Sequence, residues 1–152
     1  MRSVLRLYHK CLKLPFGKWI FSQLVSRKAP YFATIKPRFV ELRPGYAEVT
    51  LRKCRKVENH IRTVHAIAMA NLCEIAAGLM TEVSIPNDMR WIPVGMTIKY
   101  QQKARTNLRG IAKIDMPDWQ DSQDLDVPVS VLDNDNNEVV HAVITMKVSK
   151  KK

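Results

Sequence analysis

The chain has 152 residues, 46% hydrophobic and 26% charged, with 5 Gly and 3 Cys; this excludes wholesale disorder, a collagen-like repeat and a disulfide scaffold, and fits one domain with a real core. Its net charge of +11 is divided: +12 over residues 1–56, −4 over 57–149 and +3 from Lys150, Lys151 and Lys152. A nucleic-acid fold puts Lys, Arg and aromatic residues on its main recognition element, and the longest helical segment here is almost uncharged, so no nucleic acid is expected and the charge reads as a basic flank.

Residues 3–13 and 17–26 read as two short helices, with rough amphipathic spacing at Leu5, Tyr8 and Leu12 and at Trp19 and Leu24. Pro15 separates them and Pro30 bars continuation. Residues 38–42 and 46–53 read as strands joined at Pro44-Gly45; in the second, Ala47, Val49 and Leu51 alternate with Glu48, Thr50 and Arg52, the pattern of a half-buried antiparallel strand. A polar stretch from Arg52 to Arg62 leads to the longest helix signal, about Thr63 to Val83, with Thr63 as N-cap. It is apolar nearly all round, so burial on most faces is expected. Four strands follow, at Ile92–Gln101, Leu108–Met116, Leu125–Leu132 and Glu138–Val148, the last two joined by the turn 133–137. Met96, Ile98 and Tyr100 share one face of the first. The order predicts an α+β fold: a helical flank, a strand pair, one buried helix and a four-strand meander curled around it.

No run reaches the ~18 continuous apolar residues of a membrane span, and no signal peptide is legible in the first thirty residues. Cys11, Cys54 and Cys73 are odd in number and lack CxxC spacing, which predicts free thiols, a reducing cytoplasmic compartment and no zinc. Four scattered His without carboxylate spacing predict no metal.

The chemistry-bearing block is Asn59-His60-Ile61-Arg62-Thr63-Val64-His65-Ala66-Ile67, then Asn71-Leu72-Cys73-Glu74. Glu74 stands inside an apolar helix, where a carboxylate is costly unless paired. Were His65 and Glu74 both helical, nine residues would set them about 13.5 Å and 180° apart. They can cooperate only if two chains pack their long helices antiparallel. The other reading is that Glu74 bonds a neighbouring backbone group or a partner-chain donor.

Asn59, His65 and Glu74, spaced by six and nine, resemble the N-x5-HGG-x6-D/E pattern of hotdog-fold acyl-CoA thioesterases of the phenylacetyl-CoA type. NHIRTVHAIAMANLCEIAAG, RWIPVGMTIKYQQKA and PYFATIKPRFVELRPGYAEV resemble an uncharacterised bacterial branch of that superfamily, over about residues 30–148. The resemblance implies a hotdog domain over residues 30–149, with residues 1–29 as a basic helical extension and 150–152 as a basic tail. It implies Glu74 as general base or nucleophile on a thioester carbonyl, Asn59 of a partner chain positioning water or substrate, and His65 orienting the loop. The backbone N–H of Ala66 would be the oxyanion donor. Ala66-Ile67 stand where the pattern has Gly-Gly, and Lys103-Ala104 where relatives carry Pro-Ala. The implied partners are acyl-CoA or an acyl carrier protein and a second copy or dimer of dimers, with no cofactor. The alternative is a non-catalytic acyl-thioester or lipid-binding protein whose basic helices meet a membrane surface.

His60 reads first as a loop hydrogen-bonding residue and second as a substrate contact; Met69 and Met80 are candidates to line an acyl tunnel. His141 reads as solvent-facing, Trp91 as a plug, and Asp118, Asp121, Asp124 and Asp126 as a solvated acidic loop rather than a calcium loop.

Overall fold

The computed structural model describes residues 3–151. Three α-helices, α1 (Ser3–Leu12), α2 (Gly17–Lys28) and α3 (Ala66–Ser84), accompany six strands: β1 (Arg38–Arg43), β2 (Tyr46–Leu51), β3 (Met89–Tyr100), β4 (Leu108–Lys113), β5 (Ser122–Leu132) and β6 (Glu138–Lys150). The strands form one antiparallel sheet in the order β1-β2-β4-β5-β6-β3. α3 touches all six of them. An antiparallel sheet curled around one helix is the hotdog architecture, as expected.

Alternation builds the sheet's inner face. Ala47, Val49 and Leu51 of β2, Val127, Val129 and Val131 of β5, and Ala142, Ile144, Met146 and Val148 of β6 are buried. They pack on Leu72, Ile75, Ala76, Met80 and Val83 of α3. α3 has the length and mean hydropathy (1.4) of a membrane span, yet two-thirds of it is buried in the sheet. Gly45 turns β1 into β2 at φ 74°, where a Cβ would meet the Ile114 carbonyl at 2.9 Å.

The expected meander β3-β4-β5-β6 is corrected in one place. β3 pairs with β6, Ile98 opposite Ala142, and forms the far edge of the sheet. Residues 101–107 cross over instead of making a hairpin. Gln101 N–H donates to Val139 O and Val64 N–H donates to Ala104 O, which ties that crossover to β6 and to the start of α3.

The helical flank belongs to the same core. Leu5, Tyr8, Cys11 and Phe21 are buried, and Phe21 stacks edge-on between Tyr8 and Phe39 with ring centroids 5.0 and 5.2 Å away. α2 therefore turns Phe21 and Ser22 inward and leaves Trp19 and Leu24, on which its amphipathic spacing rested, exposed. At the other end, β6 runs two residues past its expected limit: Lys150 bonds Asp121 at 2.7 Å and Lys147 bonds Asp124 at 3.1 Å. Asp124 and Asp126 thus lie in β5, opposite Lys147 and Thr145 of β6, which corrects the expected acidic loop; Asp118 and Asp121 precede the strand.

Candidate active site

The loop before α3 is held by one side chain. Asn59 Oδ1 accepts from the N–H groups of Ile61 and Thr63, each at 3.1 Å, and Asn59 Nδ2 donates to Thr63 Oγ1 at 2.8 Å. Arg62 takes a left-handed turn at φ 60° within it. Glu58 and Val64 bridge across its base. Thr63 is spent on this network, and α3 begins three residues beyond the expected N-cap. The cap is His65, extended at ψ 139°, whose Nδ1 accepts from Ile67 N–H at 3.1 Å. In the neutral ring that bond puts the proton on Nε2. His60 is exposed, so Asn59 rather than His60 organises the loop.

Four N–H groups open any helix without intrahelical partners. Here His65 takes that of Ile67, and Met69 N–H reaches His65 O. Among the described residues, Ala66 N–H has no acceptor. No acid occupies the first turn, while Arg55, Lys56 and Arg62 surround the loop, so this helix end is electropositive. Lys53 is the loop cation already matched, to Glu58 at 2.7 Å. Loop residues Arg55, Asn59, His60 and Arg62 border an open cavity of about 660 Å³. A smaller cavity of about 170 Å³ lies against the helix start, between Tyr31, Thr34, His65, Ala68 and Asn71. Asn71 is buried; its Nδ2 donates to Thr34 Oγ1 at 3.1 Å, and its Oδ1 has no donor. An amide in an apolar helix was the only sequence signal for Asn71, and nothing in the spacing distinguishes it from core.

Glu74 is half-buried and makes no hydrogen bond or ion pair with the described residues. The backbone partner that would make it structural is not among its contacts. It shares a helix face with exposed Ile67 and half-buried Ala70. One turn further along, that face is covered: Gly78 lies under the Trp91 ring, and Trp91 Nε1 donates to Glu82 at 2.8 Å. Trp91 is the plug that the sequence indicated, seated over Gly78 and bonded to Glu82. Beyond it on β3, the side chains paired with buried Ile144 and Val140 of β6 are Met96 and Tyr100, and both are exposed. Tyr100 OH donates to Ala66 O at 3.2 Å, linking the end of β3 to the helix start. A core-facing apolar surface beside Glu74 is therefore bare.

The neighbouring thiol is not a competing nucleophile, because burial pushes Cys73 up to about 12. Met69 and Met80 are core residues that border neither of the two cavities above. His141 Nδ1 lies 3.0 Å from Glu138 Oε1, on the outer face of β6. Within one chain, His65 caps the helix and Glu74 lies about two turns along, so the structure does not bring the two together.

A hotdog fold whose central helix carries two carboxylates, Glu82 bonded by Trp91 and Glu74 left unbonded among the described residues, is the class defined here, and comparison with known proteins agrees. The chain belongs to the DUF4442 family, a domain of unknown function, whose profile matches residues 17–148. It is 47% identical to a crystallised genomics target at a TM-score of 0.86, over 97% of this chain and 99% of that one. A Pseudomonas aeruginosa protein of unknown function, described as a probable thioesterase, superposes at 0.79 with 19% identity, over 91% and 97% of the two chains. A Haemophilus influenzae thioesterase superposes at 0.73 with 12% identity, over 85% and 87%. At such identities these two likenesses concern the fold. No curated protein matches the sequence.

Proposed function

We propose that the protein is a thioester hydrolase acting on acyl-CoA or acyl-carrier-protein substrates at a site shared by two copies of the chain. The observation that carries this reading is Glu74: a half-buried, unpartnered carboxylate on an apolar helix face beside an uncovered strand. The thioesterase descriptions of the structural relatives support the reaction class. β3 is an edge strand with a free backbone ladder and bare core-facing Met96 and Tyr100, the kind of edge that pairs with another chain. Antiparallel packing of two α3 helices about a two-fold axis at Ala70 sets Glu74 opposite Ala66 of the partner subunit. The small side chain of Ala70 lets the helices approach there.

In that arrangement Glu74 takes the proton of a water as its oxygen attacks the thioester carbonyl carbon. Ala66 N–H of the partner subunit and the positive helix end receive the oxyanion. The C–S bond then breaks, and the proton returns from Glu74 to the departing thiolate. Asn59 and His65 hold the loop and the helix end in place, and the cations Arg55, Lys56 and Arg62 offer charge to the phosphates of CoA or the acids of a carrier protein. His60 lies beside them as a substrate contact. Met69 and Met80 stay within the core, and exposed Met96 and Tyr100 offer the apolar surface for the acyl chain. Free thiols fit a cytoplasmic setting.

The test is release of free thiol from short-, medium- and long-chain acyl-CoAs and from acyl-carrier protein, wild type beside Glu74→Gln. Loss of the base should lower kcat by roughly 10²- to 10⁴-fold. Equal hydrolysis by both proteins, or none of any substrate, overturns the reading. In the second case the non-catalytic acyl-thioester binder becomes the better account. One observation favours it: Ile67, in place of the second glycine, is 57% exposed over the helix end.

A further inference from the structure

α1 and α2 form a hairpin whose charge and exposed surface are not used by the site above. Its turn is rigid. Leu14 N–H donates to Cys11 O at 2.8 Å and Gly17 N–H to Leu14 O at 3.1 Å. Gly17 is buried so close to Cys11 that a Cβ would stand 1.9 Å from its carbonyl oxygen. Phe16 caps α2 in the left-handed region at φ 57°, an uncommon conformation for a bulky side chain, and 84% of it is exposed. The turn thus holds an aromatic ring in water without a partner.

The apolar surface continues from that tip. Leu14 precedes it, and Trp19 and Leu24 follow on α2, all exposed. Trp19, Ile20, Gln23, Leu24 and Arg27 line a shallow groove of about 280 Å³. Arg6, Lys10, Lys13, Lys18, Arg27 and Lys28 of the two helices and their turn are all exposed, Arg27 on the groove itself, and no acid precedes Glu41 in the chain. Glu41 itself is held by Arg43 at 2.7 Å. The hairpin is therefore apolar and aromatic at its tip, and cationic around it.

We propose that this hairpin docks the protein on an anionic lipid surface. Phe16, Trp19 and Leu24 enter the boundary between headgroups and acyl chains, where aromatic rings concentrate. Lys13, Lys18, Arg27 and Lys28 meet the headgroups, their aliphatic stems lying along the apolar surface. A second copy of the chain does not fit as the occupant, because it would bring the same cations face to face. The proposal stands apart from the hydrolase reading, since no hairpin residue belongs to that site; Glu74→Gln should leave lipid binding unchanged.

Sedimentation of the full chain with sucrose-loaded vesicles tests it. Phosphatidylcholine vesicles containing phosphatidylserine should bind the protein, pure phosphatidylcholine much less, and added salt should weaken the binding. Each Lys near the surface contributes about fivefold in affinity, so Lys13→Gln with Lys18→Gln should lose roughly 25-fold. Phe16→Ser with Trp19→Ser should lose at least about tenfold at unchanged charge. All four positions are exposed, and circular dichroism checks that the variants fold. No binding, equal binding to both lipids, or indifference to Phe16→Ser/Trp19→Ser overturns the proposal. So does tighter binding of duplex DNA or an acidic carrier protein that the same variants abolish, which would assign the hairpin to that partner.

Discussion

β4 passes beneath α3 at Gly110, between Val49 of β2 and Val131 of β5. A Cβ at Gly110 would lie 3.0 Å from Leu72 Cγ and 3.4 and 3.5 Å from its two methyls. Carbon pairs at their optimum sit at roughly 3.5–4.0 Å, so the methyl of Gly110→Ala enters the repulsive wall by about half an ångström. Leu72 is fully buried and its Cγ is only two bonds from the helix backbone, so it cannot swing clear without changing rotamer. Overpacking of this kind costs about 1–3 kcal/mol. Replacing a strand glycine returns about 0.5–1 kcal/mol of backbone entropy. Gly110→Ala should therefore destabilise by about 1–2 kcal/mol. Leu72→Ala should cost about 2–5 kcal/mol through lost contacts and a cavity. In that background the new methyl points into vacated space, and the sign reverses: Gly110→Ala should stabilise by about 1 kcal/mol. Urea unfolding of the four proteins, followed by far-ultraviolet circular dichroism at one protein concentration, measures the cycle. Additivity to within about 0.5 kcal/mol would refute the claim that α3 seats on β4 through this contact.

Three further outcomes follow from the same structure. Hydrogen bonds from Ser130, first, and from His141 and Gln101 hold the Glu138 carboxyl below its ordinary value of 4.5. Its contribution is thus present above pH 4.5 and lost as pH falls through the lowered folded value, and Glu138→Gln should flatten the acid limb of the stability profile; an unchanged limb counts against these bonds. Met96→Glu, on the bare face of β3, should convert an even oligomer into a monomer by light scattering and abolish hydrolysis with it, whereas a wild-type monomer that is fully active would contradict the shared site. In a thiol-labelling time course, exposed Cys54 should react fast and buried Cys11 and Cys73 only on unfolding; rapid labelling of Cys73 would contradict its buried, protonated state.

The local features of the chain were legible because each is decided within a few residues. Alternation in 46–51 made β2 half-buried, the acidic and amide run 133–137 made the β5–β6 turn, and the apolar run 66–84 made a helix that only a surrounding sheet could cover. Glu74 could be singled out for the same reason: a carboxylate in an apolar helix is visible in one dimension. Where the outcome depended on distant groups, the residues alone did not determine it. Thr63 has the chemistry of an N-cap, but Asn59 claims both its hydroxyl and its N–H, and the cap passes to His65. α2 has two plausible apolar faces. Tyr8 and Phe39 select Phe21, and Trp19 and Leu24 are left outside.

The sequence by itself determined the element types and placed Glu74 in an apolar helix, since hydrophobic period, turn chemistry and the cost of a buried charge act locally. Tertiary structure alone decided that β3 crosses the sheet to lie beside β6, because strand pairing is settled by which edges remain free once the helix is enclosed. That placement leaves Met96 and Tyr100 uncovered on a strand that meets α3 at Ala66 through Tyr100 and at Gly78 through Trp91, the stretch of helix that carries Glu74.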